Sequence, residues 1–262
     1  MASLLELSHI SLNFRGLRAL SDVSFSLGEG EVAALIGPNG AGKTSIFNVI
    51  CGFYRPQQGK VLWNGVDVTG SQPNRMARHG VGRSFQNIEL FKNMTCLDNL
   101  LLGRHMHVKS NLLEALLSTP GWKRDEVAQR RKAEELMDLL DLQAYRDMPV
   151  GFLPYGVQKL IEVARALATE PRLLLLDEPT AGMTVEEKDD MMINLLRLRN
   201  QLNLTLLVVE HDLRVVSQLA DHVIVLDHGT LIAEGSAKEV QNHPDVIRAY
   251  LGGSKIVAGE AS

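Results

Sequence analysis

The chain has 262 residues, of which 45% are hydrophobic and 22% are charged, and its formal net charge is −4. A chain of this length and balance can bury a large core as an ordinary globular protein, which excludes a small fold held together by disulfides. The slightly acidic charge argues against a broad nucleic-acid-binding surface, so we expect no nucleic-acid partner.

Cysteine content and the start of the chain bear on its compartment. Cys51 and Cys96 are the only cysteines, and neither lies in a Cys-x-x-Cys pair or a Cys/His cluster typical of metal sites. The first residues lack the basic segment and long apolar core of a signal peptide, and no apolar run reaches the ~18 residues of a membrane span. We therefore expect a cytosolic protein whose contact with any membrane is peripheral.

Short apolar runs recur along the chain and alternate in several places with helical patterns. Those at 173–177 and 204–210 are nearly unbroken, which is typical of parallel strands covered on both faces. Turn signals at Asn64-Gly65 and Asp227-His228-Gly229 predict hairpins that add antiparallel strands at the sheet edges. The fold class is therefore α/β. Strands are predicted at residues 4–8, 23–27, 32–36, 61–63, 173–177, 206–210, 223–226 and 231–234.

Between about residues 87 and 164, strand-like alternation gives way to long helical patterns such as 124–140, with a break predicted at Pro120-Gly121. We interpret residues 87–164 as an inserted α-helical subdomain. The whole chain, 1–262, is then one domain whose core is formed by residues 1–86 and 165–262. Most charged residues of the helical pattern are interpreted as a solvated face rather than a binding site.

Residues 37–44 read Gly-Pro-Asn-Gly-Ala-Gly-Lys-Thr and follow directly on the predicted strand 32–36. The glycines let the backbone turn with its N–H groups inward, so these donors and the following helix N-terminus surround phosphate oxygens. Lys43 adds a positive charge for the β- and γ-phosphates, and the Thr44 hydroxyl is placed to ligate Mg²⁺. The full motif in its strand–loop–helix setting predicts a nucleotide phosphate site.

Acidic and polar residues at strand ends indicate the chemistry at this site. Asp177 and Glu178 emerge at the carboxyl edge of the sheet, where ligands bind in open α/β folds. We predict that Asp177 holds Mg²⁺ and that Glu178 is the general base toward the attacking water. His211 ends another apolar run, where an imidazole can bind the γ-phosphate or orient the water. Gln86, at the start of the helical insert, is a candidate to bridge Mg²⁺ or the water.

Together these residues resemble the nucleotide-binding subunit of an ATP-binding cassette (ABC) transporter over essentially the whole chain. Phe14 stands where this family has its adenine-stacking aromatic, Gln86 at the Q-loop, and His211 at the switch-histidine position. Residues 153–159, Leu-Pro-Tyr-Gly-Val-Gln-Lys, take the place of the family signature Leu-Ser-Gly-Gly-Gln. The resemblance implies a P-loop NTPase (RecA-like) core, ATP and Mg²⁺ as cofactors, and ATP hydrolysis coupled to transport.

The resemblance also implies which residues form the site. Its catalytic set is Glu178, His211 and Gln86. Its metal-binding set is Thr44, Gln86 and Asp177. Its nucleotide-binding set is Phe14, Gly37, Pro38, Asn39, Gly40, Ala41, Gly42, Lys43, Thr44, Ser45, Leu153, Tyr155 and Gly156.

Two positions depart from the family pattern. Pro154 replaces the signature Ser, whose hydroxyl in this family contacts the γ-phosphate held by the opposite subunit. Proline suits a first helical turn, so the N–H groups of Gly156 and Val157 can still face an anion. We hypothesise that this signature completes a less active site in a heterodimer with a second, different ATPase subunit. Thr184 stands where the commonest D-loop pattern has Asp, which bears on communication between the two sites.

Within the family, the chain resembles the subunits of branched-chain (hydrophobic) amino acid uptake systems. The similarity lies in residues 85–94, the insert through 118–122, the Tyr155-Gly156 signature, Glu210-His211-Asp212 and the ending 244–251. It implies integral permease subunits and a second cassette subunit as partners, with a substrate-binding protein as an indirect one. It also implies a location in the cytoplasm, on the inner face of the cell membrane.

Several alternatives stay open at this point. The apolar residues Ile88, Leu90, Phe91 and Met94 form either a groove for a permease helix or the insert's own core. The function is an importer subunit, a permease-free cassette ATPase as in iron–sulfur cluster assembly, or an exporter subunit. Branched-chain amino acids are the expected cargo, with other amides and with aromatic or aliphatic acids as alternatives.

Overall fold

The computed structural model describes residues 3–84, 88–108 and 119–255, where two β-sheets are surrounded by helices. The strands are β1 (Ser3–Phe14), β2 (Leu17–Gly28), β3 (Val32–Ile36), β4 (Gln58–Trp63), β5 (Val66–Asp67), β6 (Val81–Arg83), β7 (Leu173–Asp177), β8 (Thr205–Val209), β9 (His222–Asp227) and β10 (Thr230–Gly235). The helices are α1 (Lys43–Ile50), α2 (Pro73–Arg78), α3 (Cys96–Gly103), α4 (Pro120–Leu139), α5 (Tyr155–Leu167), α6 (Val185–Leu202), α7 (Leu213–Leu219), α8 (Ala237–Gln241) and α9 (Pro244–Lys255).

The larger sheet has the strand order β10-β9-β3-β8-β7-β6, in which β10 is antiparallel to β9 and the remaining pairs are parallel. Every residue of β3, β7 and β8 is buried, because the sheet is covered on both faces at its centre. The smaller sheet, β2-β1-β4-β5, is antiparallel throughout. The predicted α/β class with an antiparallel edge is confirmed.

Two-residue turns close both predicted hairpins. Asn64 and Gly65 join β4 to β5 with φ angles of 48° and 75°, and His228 and Gly229 join β9 to β10 with φ angles of 45° and 78°. Positive φ at both central residues gives the twist that suits a tight hairpin. Strand β6 has three residues and includes Gly82, so its pattern is too short for sequence reasoning to have found it.

Helices α3, α4 and α5 lie between β6 and β7; α3 and α4 fall within the predicted helical insert, and α5 runs to Leu167, past its predicted end at 164. Helix α4 begins at Pro120, and the Thr119 hydroxyl oxygen accepts from the Trp122 N–H at 3.2 Å. The chain is non-helical at Thr119, so the interruption predicted at Pro120-Gly121 lies one residue earlier, and Pro120 takes the first helical position, where no N–H is needed. The insert shares one hydrophobic cluster with a face of the larger sheet, including Leu97, Leu100, Met137, Ile161, Leu174 and Leu176.

Helix α1 is held on the other side of the sheet by its apolar residues. Ile46, Phe47 and Ile50 are fully buried in a cluster with residues of β1, β2 and β7. Because only residues 37–42 separate β3 from α1, this packing fixes both ends of the intervening loop. Within the three described ranges, none of the helices has the combination of length and hydrophobicity needed to cross a bilayer.

Candidate active site

The phosphate loop, residues 37–42, connects β3 to α1 at the carboxyl edge of the larger sheet. Gly37, Gly40 and Gly42 have φ angles of 150°, 79° and 104°, a region that residues with a Cβ rarely adopt. A Cβ on Gly37 would also lie 2.1 Å from the Leu226 carbonyl oxygen. Gly42 precedes α1 without a side-chain cap, which leaves the first N–H groups of this helix available to an anion.

Lys43 lies across the mouth of this loop. Its Nζ donates to the carbonyl oxygens of Gly37 at 2.8 Å and Pro38 at 2.9 Å, and the residue is only 7% exposed. Burial lowers the pKa of Lys43, and the carboxylates of Glu178 and Asp177 oppose that shift. The ammonium group is therefore placed between the loop and the acids, where nucleotide phosphates would bring negative charge.

One cleft, of about 480 Å³, collects most of the predicted site residues. Gly37 and Pro38 lie behind it and present carbonyl groups to Lys43. Arg18 and His228 also line the cleft, although Arg18 belongs to no motif and the pattern around His228 predicts only a hairpin turn. The cleft is lined by Phe14, Leu17, Arg18, Ala19, Asn39, Gly40, Ala41, Gly42, Lys43, Thr44, Ser45, Asp177, Glu178, Val209, His211 and His228.

The two acids at the end of β7 have different environments. Asp177 is 6% exposed, and its Oδ2 lies 3.3 Å from Nη2 of Arg83. Burial raises the pKa of Asp177, and the charge of Arg83 acts against that rise. Glu178 is less buried and has a φ of 51°, a strained conformation for a residue with a side chain. Backbone strain of this kind is found where the surrounding structure fixes a functional residue.

Glu178 and His211 form a hydrogen-bonded pair in the cleft. Glu178 Oε1 and His211 Nε2 are 2.7 Å apart, and the two residues follow the neighbouring strands β7 and β8. The imidazole holds the Glu178 carboxylate in one orientation. A carboxylate that takes a proton from a bound water must be oriented in this way. The structure thus brings these two residues together, and the catalytic roles given to them stay predictions.

A third carboxylate, that of Glu210, joins the two loops and was not predicted. It is 4% exposed, and its Oε1 accepts from the Thr180 N–H at 3.1 Å and from the Thr180 hydroxyl at 2.7 Å. Its Oε2 accepts from the His211 N–H at 3.2 Å. No alternation in the sequence marks Glu210, because every residue of β8 is buried and Glu210 meets Thr180 only through the fold. Glu210 therefore fixes the loop of His211 against the loop of Glu178.

Phe14 lies at the rim of the cleft, where it is 40% exposed. Its ring meets that of Tyr54 edge to face, with centroids 4.9 Å apart. Tyr54 was not predicted. This contact fixes the Phe14 ring while leaving part of it accessible, which is compatible with stacking on a nucleobase. The adenine contact itself stays a prediction.

The signature residues lie apart from the cleft. Leu153 is buried in the cluster of the insert, and its side chain packs there instead of facing a ligand. Pro154 precedes α5, and its carbonyl oxygen accepts from the Gln158 N–H at 3.0 Å. The Tyr155 hydroxyl donates to the Ala181 carbonyl oxygen at 3.2 Å. Gly156 lines a different groove, so a nucleotide bound in the cleft of the same chain does not reach it.

The remaining predicted residues divide between core and surface. Gln86 lies outside the described residues, and its catalytic and metal roles stay predictions. Leu90 is buried in the cluster of the insert and Ile88 packs against that cluster, whereas Phe91 is 57% exposed. The core alternative therefore holds for Leu90, and Phe91 is available for contact with another protein.

The oxygen donors of the cleft suit a magnesium ion. Thr44 brings a hydroxyl and Asp177 a carboxylate to the same cleft. Mg²⁺ prefers such oxygen ligands, and it commonly completes its shell with nucleotide phosphates and water rather than with a dense set of acidic side chains. These residues therefore fit Mg²⁺ bound together with a nucleotide.

Comparison with known proteins matches two stretches of the chain to family models. Residues 20–181 match the family described as ABC transporter. Residues 230–255 match the family described as branched-chain amino acid ATP-binding cassette transporter.

Individual relatives align over nearly the full length. The high-affinity branched-chain amino acid transport ATP-binding protein BraF of Pseudomonas aeruginosa is 40% identical over 95% of this chain and 98% of its own length. The corresponding protein LivG of Escherichia coli is 38% identical with the same coverage. The solved ADP conformation of MJ1267, an ATP-binding cassette of an ABC transporter, is 34% identical and superposes with a TM-score of 0.85 over 96% of this chain and 100% of its own.

Proposed function

The chain belongs to the ABC transporter family, whose ATP-binding cassettes hydrolyse ATP, and from this premise we propose that it is the ATP-hydrolysing subunit of an importer. Branched-chain amino acids or related small molecules are the proposed cargo. The observation that carries the hydrolytic part is the 2.7 Å contact of Glu178 with His211 beside the phosphate loop. The relatives named for branched-chain amino acid transport support import over the exporter and permease-free alternatives.

In the proposed reaction, the N–H groups of the loop and the Lys43 ammonium group neutralise the ATP phosphates. Glu178 accepts a proton from a water whose oxygen attacks the γ-phosphorus, and the bond between that phosphorus and the β,γ-bridging oxygen breaks to release ADP and phosphate. His211 holds the Glu178 carboxylate toward that water. Thr44 and Asp177 would hold Mg²⁺ bound together with the nucleotide, and the ion would neutralise part of the phosphate charge.

We propose that the second half of each ATP site comes from another cassette subunit. The position of Gly156 outside the cleft supports this arrangement, because the signature must then meet a nucleotide held by a partner. Pro154 brings neither a hydroxyl nor an N–H to that contact, and this favours a heterodimer with one weaker site. ATP closes the dimer to the extent that it binds the closed state more tightly than the open one.

The proposed importer also needs membrane subunits. Exposed Phe91, near the start of the helical insert, is a candidate contact for a cytoplasmic helix of a permease. A substrate-binding protein would act through the permease, and the chain would lie at the cytoplasmic face of the membrane. The division into a core of residues 1–86 and 165–262 and a helical subdomain of 87–164 is part of this proposal.

Affinity purification of the tagged chain from its native membranes in mild detergent tests the assembly. Recovery of a multi-span permease together with a second, distinct cassette subunit would support the importer and the heterodimer. Recovery with soluble scaffold proteins alone would overturn the transport function while leaving ATP hydrolysis in place. Uptake of labelled leucine into vesicles containing the recovered complex then tests the cargo.

A further inference from the structure

Arg83 links the end of β6 to the acid at the end of β7. The two strands are parallel neighbours, and the side chain of Arg83 is 11% exposed. Its Nη2 lies 3.3 Å from Oδ2 of Asp177, and its Nη1 donates to Oδ1 of Asn48 at 2.6 Å. Its guanidinium carbon lies 5.5 Å from the centre of the Phe47 ring. One guanidinium group therefore contacts both the Asp177 carboxylate and α1, the helix that begins with Lys43.

This arrangement uses the shape of the guanidinium group as well as its charge. The group is planar, and its two terminal nitrogens have fixed relative directions, so contact with Asn48 fixes the direction of contact with Asp177. The contact engages Oδ2 of Asp177, which leaves the second carboxylate oxygen for a ligand in the cleft. Stacking on buried Phe47 further restricts rotation of the guanidinium plane.

We propose that Arg83 is a positioning residue for the metal–nucleotide complex: it holds the Asp177 carboxylate in the orientation in which that acid binds magnesium with ATP. This inference rests on the metal role given to Asp177 in the proposed function. It differs from a general stabilising role because Arg83 joins two parts of one site: the acid that ends β7 and the helix that follows the phosphate loop. Groups that orient a metal ligand commonly change metal affinity about 10- to 100-fold when removed.

The measurement that isolates positioning is the effect of Mg²⁺ on nucleotide affinity. The dissociation constant of ATP is measured by calorimetry on the purified chain with Mg²⁺ and with EDTA, and the ratio of the two constants is the coupling factor. In Arg83→Met the affinity in EDTA stays near the parent value, because Lys43 and the loop are intact, whereas the coupling factor falls about tenfold or more. Arg83→Lys restores the positive charge but not the fork, meaning the two guanidinium nitrogens that contact Asn48 and Asp177 at once. It should therefore recover less than half of the lost coupling factor.

Arg104→Met is the matched control. Arg104 is 4% exposed and is not among the residues that line the cleft, and it pairs at 2.8 Å with Glu170, whose side chain is half exposed, so its loss removes a buried guanidinium group and one ion pair away from the site. This variant lowers the unfolding temperature and leaves the coupling factor unchanged. If Arg83→Met does not fold, Asn48→Ala provides the test, because it removes one of the two fork contacts and should reduce the coupling factor in the same direction.

The outcomes separate the inference from the function on which it rests. A parent protein that binds ATP equally with Mg²⁺ and EDTA would overturn the metal role of Asp177 and the inference together. A parent with clear coupling and an Arg83→Met variant with the same coupling would overturn the positioning role alone. Full recovery in Arg83→Lys would show that charge suffices and would refute the fork.

Discussion

Replacing Glu210 by alanine tests whether one buried carboxylate aligns the two loops of the cleft. The carboxylate accepts three hydrogen bonds, two from Thr180 and one from the His211 N–H, at 2.7–3.2 Å. Thr180 is 1% exposed, so without the Glu210 carboxylate its N–H and hydroxyl have no acceptor and are too buried to bond to bulk water instead. Glu210→Ala therefore removes a shared acceptor and also loosens the backbone on which Glu178 and His211 are placed.

The expected loss follows from the number of donors. A buried donor left without its partner costs about 1–3 kcal/mol, and three donors on one carboxylate do not add fully, so we expect about 3 kcal/mol in the free energy of unfolding. For a chain of this size, that corresponds to a fall of roughly 6–12 °C in unfolding temperature. The turnover number of ATP hydrolysis should fall at least about tenfold with little change in KM, because nucleotide contacts remain while the base is misaligned.

Urea unfolding and steady-state ATP hydrolysis provide the two measurements, with Glu210→Gln as the control. Glutamine keeps a carbonyl oxygen for the two Thr180 donors and sacrifices the acceptor for the His211 N–H, so its loss should be about 1 kcal/mol. An alanine variant as stable as the parent would refute the reasoning. A glutamine variant as damaged as the alanine variant would show that charge matters more than the number of bonds.

Four further predictions concern the pH dependence of stability, nucleotide binding, the catalytic base and the signature. The hydrogen bond with Glu31 raises the pKa of His222, and the hydrogen bond with His222 lowers the pKa of Glu31. The contribution of His222 to stability is complete below its ordinary pKa of 6.5 and is lost as pH rises through the raised pKa. The contribution of Glu31 is complete above its ordinary pKa of 4.5 and is lost as pH falls through the lowered pKa. Urea midpoints of His222→Gln should therefore depend less on pH on the alkaline side than those of the parent, and an unchanged slope would count against this pair. Lys43→Ala should weaken ATP binding about tenfold or more in a calorimetric titration. Glu178→Gln should keep ATP binding, lose hydrolysis and accumulate a closed dimer on gel filtration. Hydrolysis by Glu178→Gln at the parent rate would show that Glu178 is not the base. Pro154→Ser should raise hydrolysis in the assembled complex, and no change would contradict a signature weakened by proline.

The parts of the fold that sequence reasoning found are those with local signals. The phosphate loop is a contiguous motif, and β3 and β7 are apolar because both of their faces are covered. Short β6 carries no such signal, since its three residues include Gly82. Helix α4 begins at Pro120, before the predicted start at residue 124, because a proline can end one helix or begin another, and the Thr119 cap decides which.

The contacts that complete the cleft are non-local, which is why they were not predicted. Arg83 and Asp177 are 94 positions apart, and Thr180 and Glu210 are 30 positions apart. No periodicity or spacing joins such residues, so even Asp177, which its place at a strand end makes a candidate, gives no indication of its partner. They meet because parallel strands bring their carboxyl ends to one edge of a sheet, so the fold must be known before the pairing can be derived.

Backbone conformation separates the environments of the consecutive acids Asp177 and Glu178, and with them the two roles proposed for these residues. Asp177 ends the strand, is buried, and has its carboxylate held by Arg83, an arrangement that suits a fixed ligand for a cation. Glu178 enters the left-handed region at φ 51°, which turns its side chain toward His211 and into a less buried part of the cleft. A residue that exchanges a proton with water needs that access, whereas a residue that holds a metal needs rigidity. The strained φ of Glu178 is therefore the structural feature that would let the two adjacent carboxylates take the different roles proposed for them toward one nucleotide.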